Sequence, residues 1–592
     1  MWGTWARSRA AFLAVLVLAS LNAGSAPASD DVAPADRAGR ASGPSRVAAA
    51  ARDAVLGIDP YVERAYERAA ELQQFDIVSH RRIGDLTGDG VTEIVVDSWT
   101  IVPDPTGTIF FLDGSYRATV LDGRTGRKTL THEASFVDGF AGLTPFRVGP
   151  KGKPGLLAFE TNATSAAHTV RYTALTRSGE RVWTKVLAST YNWNTGSKWY
   201  GPAGGATGAL FTADRVDVRP GRAGDILIGR SDYVLPPRRK PIARTTASVL
   251  DGRDGSLTRL TSVRSTEAIP MAAGAPDLDG DGSDDFVFLA NDKSNDGRIS
   301  AFDGQDASPL WTRKHALRPW PWIERIGDFV GGRTKDFLVS YNKGDDRVIA
   351  PVEGRTGRVA WVREAIFPYV AGDVDGDGAP DLGGFRFGDA EDAFLAYSND
   401  GRKLYEVVHG ADKSGCKKSF CVTFGFYLDA GDLNADRVRD TYVELGHSWN
   451  SKATTYVVTG RTGRLLYTRK GIVPLGGSVD GRGDDLGDTG RLGPRRLTLD
   501  ILDGRDLGKL WSVTVESRRR LRFADPWAPY GAAGKLNLDG CKDVVVSVRS
   551  GEAVVLLALD GGDGGLLWRR EVAGAPPGRI RVDTRGTAST SC

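Results

Sequence analysis

The sequence predicts an all-β protein: a β-propeller of seven to nine four-stranded blades, eight being favoured, preceded by a short N-terminal helical segment. Three observations lead to this prediction. An acidic loop followed by an apolar run recurs along the chain. A glycine-containing turn between two apolar stretches alternates with that loop, and an aromatic residue follows most of these turns at a fixed distance.

The beginning of the chain is typical of an exported protein. Arg7 and Arg9 precede an apolar run from Ala10 to Leu21, and small residues follow as far as Ala28. Residues 1–28 are therefore predicted to be a signal peptide, because the apolar run is too short to span a membrane. Residues 29–75 are predicted to be a linker and helical segment, with a cleaved pro-segment as the alternative, and residues 76–592 to form the propeller.

The acidic loop has three good copies, which start at Gly84, Pro276 and Gly372. Weaker copies bring the number of candidate units to nine, and they start near Val216, Gly327, Gly431, Gly477 and Gly534, with a poor one at residues 147–159. The units near residues 147, 216 and 477 are the doubtful ones, so seven, eight or nine blades remain possible, and eight are favoured. Each unit contains a strand, an acidic loop, two strands, a hairpin turn and a fourth strand, the composition of one propeller blade.

The turn motif is clearest from Leu121 to Arg127 and recurs further along the chain. An aromatic residue lies eight positions after the first acid in the pairs Asp303/Trp311, Glu353/Trp361, Asp503/Trp511 and Asp560/Trp568. Such a fixed distance predicts a fixed register, with the aromatic side chain packed between neighbouring sheets. Sheets stacked around an axis bury both of their faces, whereas an open β-solenoid, the alternative, has shorter repeats.

The spacing Asp-x-Asp-x-Asp-Gly-x-x-Asp suits calcium, which takes about six to eight oxygen ligands at about 2.3–2.6 Å. The seventh position of such a loop is expected to contribute its backbone carbonyl. The predicted ligands are Asp85, Thr87, Asp89, Val91 and Glu93; Asp277, Asp279, Asp281, Ser283 and Asp285; and Asp373, Asp375, Asp377, Ala379 and Asp381. A weaker site is predicted at Asp432, Asn434, Asp436 and Asp440.

The remaining loops have lost parts of this pattern. Arg437 replaces the glycine of the weaker loop, and Lys535 occupies the first position of the last loop, where its ammonium group is expected to replace the cation. The loop from Asp328 to Asp336 lacks its middle acids. The alternative interpretation of any single loop is a solvated Asp-Gly turn without a metal ion.

These loops resemble the FG-GAP/VCBS repeats of integrin α-subunit propellers and of many bacterial secreted proteins. The resemblance is specific at residues 85–93, 277–285 and 373–381 and loose over the rest of residues 80–570. It implies calcium-binding loops on one rim of the propeller and a function in ligand binding or adhesion.

The four cysteines suit an oxidising compartment. An even number of cysteines in an exported chain predicts disulfides, here Cys416–Cys421 and Cys541–Cys592. The formal net charge of only +3 argues against a nucleic-acid partner, which would require a concentrated basic face. No segment after the signal peptide is long and apolar enough to span a membrane.

The favoured function is that of a secreted, calcium-stabilised binding, adhesion or scaffold protein, which acts as a monomer on an extracellular protein or glycan. Candidate contact residues are Tyr191, Trp193, Trp199 and Tyr200, although packing between blades also explains them. The alternative is a calcium-dependent polysaccharide lyase or hydrolase. An enzyme is the less favoured class because the six histidines form no recognised catalytic motif.

Overall fold

The computed structural model describes residues 75–586, and every element in the described part is a β-strand. Within that span the structure describes all residues except 104–111, 137–140, 164–167, 190–205, 217, 219–223, 236–241, 266–270, 292–296, 316–317, 328, 331–333, 344–345, 388–390, 411–423, 432, 434–437, 439, 447–453, 471, 475–485, 505, 524–529, 540, 552 and 574–579. The predicted signal peptide and helical segment lie outside the described residues. Among the described residues there is no helix that could cross a membrane.

The first three sheets each contain four consecutive strands. Sheet 1 consists of β1 (Phe75–Gly84), β2 (Glu93–Pro103), β3 (Leu112–Leu121) and β4 (Lys128–Phe136). Sheet 2 consists of β5 (Ala141–Val148), β6 (Lys153–Ala163), β7 (His168–Thr176) and β8 (Arg181–Ser189). Sheet 3 consists of β9 (Ala206–Val216), β10 (Asp225–Leu235), β11 (Ile242–Leu250) and β12 (Leu257–Ser265).

The next three sheets repeat this arrangement. Sheet 4 consists of β13 (Met271–Gly274), β14 (Phe286–Asn291), β15 (Gly297–Phe302) and β16 (Pro309–His315). Sheet 5 consists of β17 (Arg318–Gly327), β18 (Asp336–Lys343), β19 (Asp346–Val352) and β20 (Arg363–Glu364). Sheet 6 consists of β21 (Ile366–Gly372), β22 (Asp381–Phe387), β23 (Glu391–Tyr397) and β24 (Lys403–Gly410).

Sheets 7, 8 and 9 follow, and sheets 8 and 9 each contain a fifth strand. Sheet 7 consists of β25 (Phe424–Gly431), β26 (Asp440–Gly446), β27 (Thr454–Val458) and β28 (Leu465–Lys470). Sheet 8 consists of β29 (Ile472–Pro474), β30 (Leu486–Gly493), β31 (Arg496–Leu502) and β32 (Lys509–Ser517), with β38 (Ile580–Gly586) as a fifth strand paired to β32. Sheet 9 consists of β33 (Leu521–Phe523) and β34 (Tyr530–Gly534), which both pair with β35 (Asp543–Ser550), followed by β36 (Ala553–Leu559) and β37 (Leu566–Ala573).

All strand pairs are antiparallel, so the connections alternate between two rims. The loop after the first strand of each sheet and the turn after the third strand lie on one rim, which we call the acidic rim. The turn after the second strand and the connection to the next sheet lie on the opposite rim. Backbone hydrogen bonds link loops of neighbouring sheets on the acidic rim, as from Lys335 N to Asp277 O (3.1 Å).

Nine buried apolar clusters hold the sheets together, and each cluster draws its residues from two successive sheets. One of them joins the last sheet to the first, since Val545, Leu556 and Trp568 pack against Ile94 and Val96. The nine sheets of the described residues are therefore joined in a closed ring, as in a β-propeller; the favoured number of eight blades is not confirmed. The three doubtful sequence units each correspond to a sheet, namely sheets 2, 3 and 8.

The aromatic residues after the turns pack between sheets, as predicted. Five tryptophans, four in fourth strands and Trp361 just before one, each donate a hydrogen bond from Nε1 to a carbonyl in the turn of the next sheet: Trp183 to Gly252 (2.9 Å), Trp311 to Gly354 (2.6 Å), Trp361 to Asn399 (2.7 Å), Trp511 to Gly561 (2.8 Å) and Trp568 to Gly123 (2.7 Å). Each of these turns also contains a glycine with positive φ, against which the indole ring packs. At Gly126 (φ 63°), for example, a Cβ atom would lie 2.6 Å from the Trp568 ring, so only glycine fits there.

Candidate functional site

The acidic loops of sheets 1, 4 and 6 each bring three carboxylates together on the acidic rim. The groups are Asp85, Asp89 and Glu93 in sheet 1; Asp277, Asp279 and Asp285 in sheet 4; and Asp373, Asp375 and Asp381 in sheet 6. Within each group, one oxygen per residue lies within 4.8 Å of the others. Two oxygens bound to one calcium ion lie at most about 5 Å apart, so this spacing fits a shared calcium ion.

The ninth residue of each loop starts the second strand and ties the loop to it. Asp285 Oδ2 accepts a hydrogen bond from Leu278 N (2.7 Å), and Asp285 Oδ1 accepts one from Gly304 N in the following turn (2.9 Å). The backbone N–H of the second loop residue makes the same bond to Glu93, Asp336, Asp381, Asp440 and Asp543. In sheets 4, 5, 7 and 9 the acid at the ninth loop position, which we call the ninth acid, thus ties both its loop and the following turn to the second strand, whether or not the other acids of its loop are present.

The carboxylate at the first loop position accepts hydrogen bonds from backbone N–H groups of its own loop. In sheet 4, Asp277 Oδ1 accepts a hydrogen bond from Gly280 N (2.7 Å) and Asp277 Oδ2 accepts one from Gly282 N (3.0 Å). Asp373 makes the same two bonds in sheet 6, to Gly376 N (2.7 Å) and Gly378 N (3.0 Å). These glycines have positive φ angles, which let the chain fold around the carboxylate.

The acid at the fifth position of each loop lies on the outer side of the loop. Asp377 is exposed and lies outside the three-acid group of sheet 6, and its Oδ1 accepts a hydrogen bond from Ala379 N (2.8 Å). Asp281 belongs to a second group in sheet 4, with Asp279 and Asp303. The structure therefore does not bring all four predicted carboxylates of either loop into one group.

In sheet 1 a hydroxyl group takes the place of the third acid. Thr87 Oγ1 donates to Glu93 Oε1 (3.0 Å) and lies 3.5 Å from Asp85 Oδ1. Val91, like Ser283 and Ala379, is oriented by a bond from its own N–H to the fifth acid, Asp89 in this loop (2.9 Å). The carbonyl contributions of these three residues to a cation stay a prediction.

Burial raises the pKa values of the ninth acids. The pKa of Asp285 and of Asp381 is raised to about 7, and that of Asp543 to about 6, because burial disfavours the charged carboxylate. Burial also raises the pKa of Glu93, with neighbouring acids adding to the effect. A bound cation would favour the charged forms, so the electrostatics of these loops suit a positive ligand.

One buried carboxylate oxygen in sheet 6 has no hydrogen-bond partner. Asp381 is fully buried, and its Oδ2 accepts bonds from Val374 N (2.7 Å) and Asp375 N (3.1 Å). Its Oδ1 is buried without a hydrogen-bond partner. A buried carboxylate oxygen in this state is costly, and a cation held with Asp373 would offset the cost.

The structure adds ligand candidates that the sequence analysis missed. Asp303 and Asp560 are the first acids of hairpin turns, and each joins a carboxylate group, Asp560 together with Asp539 and Asp543. The signal was present in the sequence, because loop and turn join strands at the same end of a sheet. In sheet 9, Asn537 Nδ2 donates to Asp560 Oδ2 (2.6 Å) and to Asp539 Oδ2 (2.9 Å).

Several predicted site residues lie outside the described residues: Asp432, Asn434, Asp436, Tyr191, Trp193, Trp199 and Tyr200. Of the weaker loop, Asp440 is described; it is fully buried and accepts hydrogen bonds from Leu433 N (2.7 Å) and Gly460 N (3.1 Å). Lys535 is exposed on the acidic rim, and its carbonyl accepts a hydrogen bond from Thr92 N (3.3 Å).

No protein-family model matches the chain, and no curated protein matches its sequence. Among solved structures, the rhamnogalacturonan lyase YesW is 15% identical over 73% of this chain and 70% of that chain, with a TM-score of 0.39. The Dos1 propeller is 10% identical over 75% and 93% of the two chains (TM-score 0.33), and the six-bladed Aleuria aurantia lectin is 9% identical over 58% and 98% (TM-score 0.26). With TM-scores this low, these likenesses carry no argument about function.

Proposed function

We propose that this protein is a secreted, calcium-stabilised β-propeller that acts as an extracellular binding scaffold. The observation that supports it most is the repetition of one carboxylate group at the same place in sheets 1, 4 and 6. Repetition on one rim and the partnerless Oδ1 of Asp381 both favour a cation over a set of solvated turns. The acid spacing resembles that of FG-GAP/VCBS repeats, which agrees with this proposal.

Calcium titration of chelator-treated protein tests the proposal. We expect saturable binding of three ions, one each in sheets 1, 4 and 6, measured by calorimetry or by terbium luminescence. The variants Asp85→Asn, Asp277→Asn and Asp373→Asn should each remove one ion, and the triple variant should remove all three. Chelator-treated protein that binds no calcium at millimolar concentrations would contradict the proposal.

Calcium should also stabilise the fold. An ion that binds only the folded protein adds about 2.7 kcal/mol at a concentration of 100 times its Kd. Chemical denaturation with and without calcium therefore measures the same sites independently of the titration. The triple variant should unfold at one midpoint in both conditions.

The disulfide Cys541–Cys592 is part of the proposal. Cys541 is buried at the seventh position of the last loop, and no described cysteine is free. Gly586 lies opposite Trp511, which contacts Gly561, and a Cβ atom on Gly561 would lie 3.3 Å from Cys541 Cβ. Six further residues reach about 20 Å when extended, so Cys592 is within reach. Peptide mapping without reduction should recover the linked pair, and separately Cys416–Cys421.

The binding partner is proposed to be an extracellular protein or glycan. A glycan array and a screen of extracellular proteins, both with calcium present, test this part with wild-type protein and with a quadruple alanine variant of Tyr191, Trp193, Trp199 and Tyr200. Binding without turnover supports a scaffold. New reducing ends or unsaturated products from a polysaccharide would instead support the alternative, a calcium-dependent lyase or hydrolase.

A further inference from the structure

The rim opposite the acidic loops carries a concentration of arginines where sheets 8 and 9 meet. Five exposed arginines lie in or directly beside two adjacent connections, the turn between β30 and β31 and the link from β32 to β33. We call them the arginine patch: Arg495, Arg496, Arg518, Arg519 and Arg520. Among the described residues of these connections and their flanks, the one acid is Glu516, which pairs with Arg496 (3.1 Å). The patch is therefore strongly positive although the whole chain has a net charge of only +3.

The backbone beneath the patch is fixed. Ser517 N donates to Arg495 O (3.0 Å), and Leu521 N donates to Pro494 O (2.8 Å), so the two connections are bonded side by side. A buried hydrogen bond between Ser517 Oγ and Ser550 Oγ (2.8 Å) ties them to the neighbouring turn of sheet 9. The arginines are thus presented from a preorganised base, which lowers the cost of ordering them on binding.

One patch side chain lies against that third turn. Arg519 lies over Gly551, where a Cβ atom would come within 3.2 Å of Arg519 Cδ and 3.3 Å of Nη1. One position further into the sheet, Arg522 of β33 lies directly opposite Arg549 of β35. The Nε atom of Arg549 is buried without a hydrogen-bond partner.

We propose that the arginine patch binds an anionic polysaccharide that carries carboxylate or sulfate groups. This inference rests on the proposed function as an extracellular scaffold and names a partner class for it. The cationic residues of the patch are all arginine, whose planar guanidinium group makes paired hydrogen bonds to such anions. Successive charged groups along a polymer match several arginines in two adjacent connections.

Other polyanions fit the patch less well. The five patch side chains offer no aromatic surface on which nucleic-acid bases could stack. None of the large exposed apolar residues among the described residues lies in the patch, so it offers no side chain for insertion into a membrane. Double-stranded DNA and anionic vesicles are therefore competitors in the test.

The test uses the full mature chain with calcium present. The probes are polygalacturonate for carboxylates, dextran sulfate for sulfates, uncharged dextran, double-stranded DNA, and vesicles that contain anionic phospholipid. We expect binding of polygalacturonate, of dextran sulfate or of both, weakened at least tenfold between about 50 and 500 mM salt because the contacts are ionic. Stronger binding of DNA or of vesicles, or no binding of either acidic polysaccharide, would overturn the inference.

Two matched variants locate the site. The variant Arg518→Gln/Arg519→Gln/Arg520→Gln should lower polysaccharide affinity at least tenfold. The variant Arg124→Gln/Arg127→Gln/Lys128→Gln removes the same charge from exposed residues on the acidic rim and should change affinity less than twofold. Equal losses in the two variants would show a response to net charge alone and would overturn the inference.

A conservative variant and a calcium measurement complete the design. Arg518→Lys/Arg519→Lys/Arg520→Lys keeps the charge but not the planar donor group, so we expect an intermediate loss of affinity. Calcium stoichiometry is measured in every sample. A patch variant that binds three calcium ions but no polysaccharide has an intact fold and supports the inference. Wild-type protein that binds calcium but no polysaccharide would overturn the inference and leave the proposed function unaffected.

Discussion

The loops of sheets 4 and 5 have the same backbone role but different side chains, and the difference separates two functions of the acidic loop. The sheet 4 loop has acids at its first, third, fifth and ninth positions, whereas the sheet 5 loop keeps the ninth, Asp336, without acids between the first and the ninth. Asp336 still makes the bonds that Asp285 makes, accepting from Phe329 N (2.7 Å) and Gly354 N (2.8 Å). The ninth acid thus has a structural role even where the other acids are missing, and the proposed cation binding requires the earlier acids as well.

The largest effect should come from removing the ninth acid of sheet 5. Asp336 is fully buried and accepts a third bond from Val330 N (2.9 Å). Asp336→Ala would leave three N–H groups without acceptors, two of them buried and one partly buried, and we expect a loss of about 3 kcal/mol or more in the free energy of unfolding. Chemical denaturation should give the same loss with calcium and with chelator. A loss seen only in calcium would break the distinction between the two functions.

The first acid of sheet 4 should behave in the opposite way. Asp277→Asn keeps one oxygen acceptor for the loop but removes a charge from the carboxylate group. We expect at least a tenfold lower calcium affinity at this site and a change of less than about 1 kcal/mol in the stability of the chelated protein. Calorimetry and denaturation of the same sample measure both quantities. A loss of stability in chelator as large as that expected for Asp336→Ala would show that Asp277 has a structural role, like the acids at the ninth loop position.

The last loop offers a gain of function. Lys535 is exposed at the first position, while Asp539, Asp543 and Asp560 already form a carboxylate group. Lys535→Asp exchanges a positive for a negative charge beside that group, and we expect about a tenfold higher terbium or calcium affinity there. The control is Lys542→Asp, which makes the same change of charge at a nearby, partly buried residue that is not at the first position of the loop. Equal gains in both variants would indicate a general charge effect.

The smallest expected effect concerns an arginine next to the sheet 6 loop. Arg402 Nη2 lies 3.2 Å from Asp375 Oδ2, and the arginine side chain is 63% exposed. This cation competes weakly with a metal ion, so Arg402→Gln should raise calcium affinity at sheet 6 by about two- to fivefold. Asp373→Asn in the same background should abolish the gain. A decrease in affinity would mean that Arg402 positions Asp375 rather than competes for it.

The sequence predicted the repeating unit because its signals are local. The turn glycines, the spacing of the acids and the turn-to-aromatic distance each reflect a few consecutive residues, and the structure confirms the strand order and the packing of Trp511 and Trp568 between sheets. Sheet 2 was doubtful because its loop, at Gly149 and Gly152, is a tight turn without acids. Its sheet forms because apolar residues such as Leu156 are covered on both sides by neighbouring sheets.

The distribution of function within the loops was harder to predict. The one-dimensional pattern gives Asp277 and Asp285 equal standing, and their different roles appear only when the backbone groups around each carboxylate are known. Asp303 and Asp560 come from turns about 20 residues after their loops, so their contribution depends on the register of the intervening strands. The arginine patch could not be predicted from the sequence, because the run Arg518–Arg520 is short and Arg495 is distant from it in the chain.

The closure of the ring has a consequence for how the chain is made. In the described residues sheets 1 and 9 share no strand, since sheet 1 is built from β1–β4 alone and the last strand, β38, pairs with sheet 8. Of the described sheets, sheet 1 is translated first, and its apolar face toward sheet 9 is not covered by that sheet until Trp568 has been translated and reaches Gly123. During synthesis that face is the part of the nascent chain with most to gain from a chaperone.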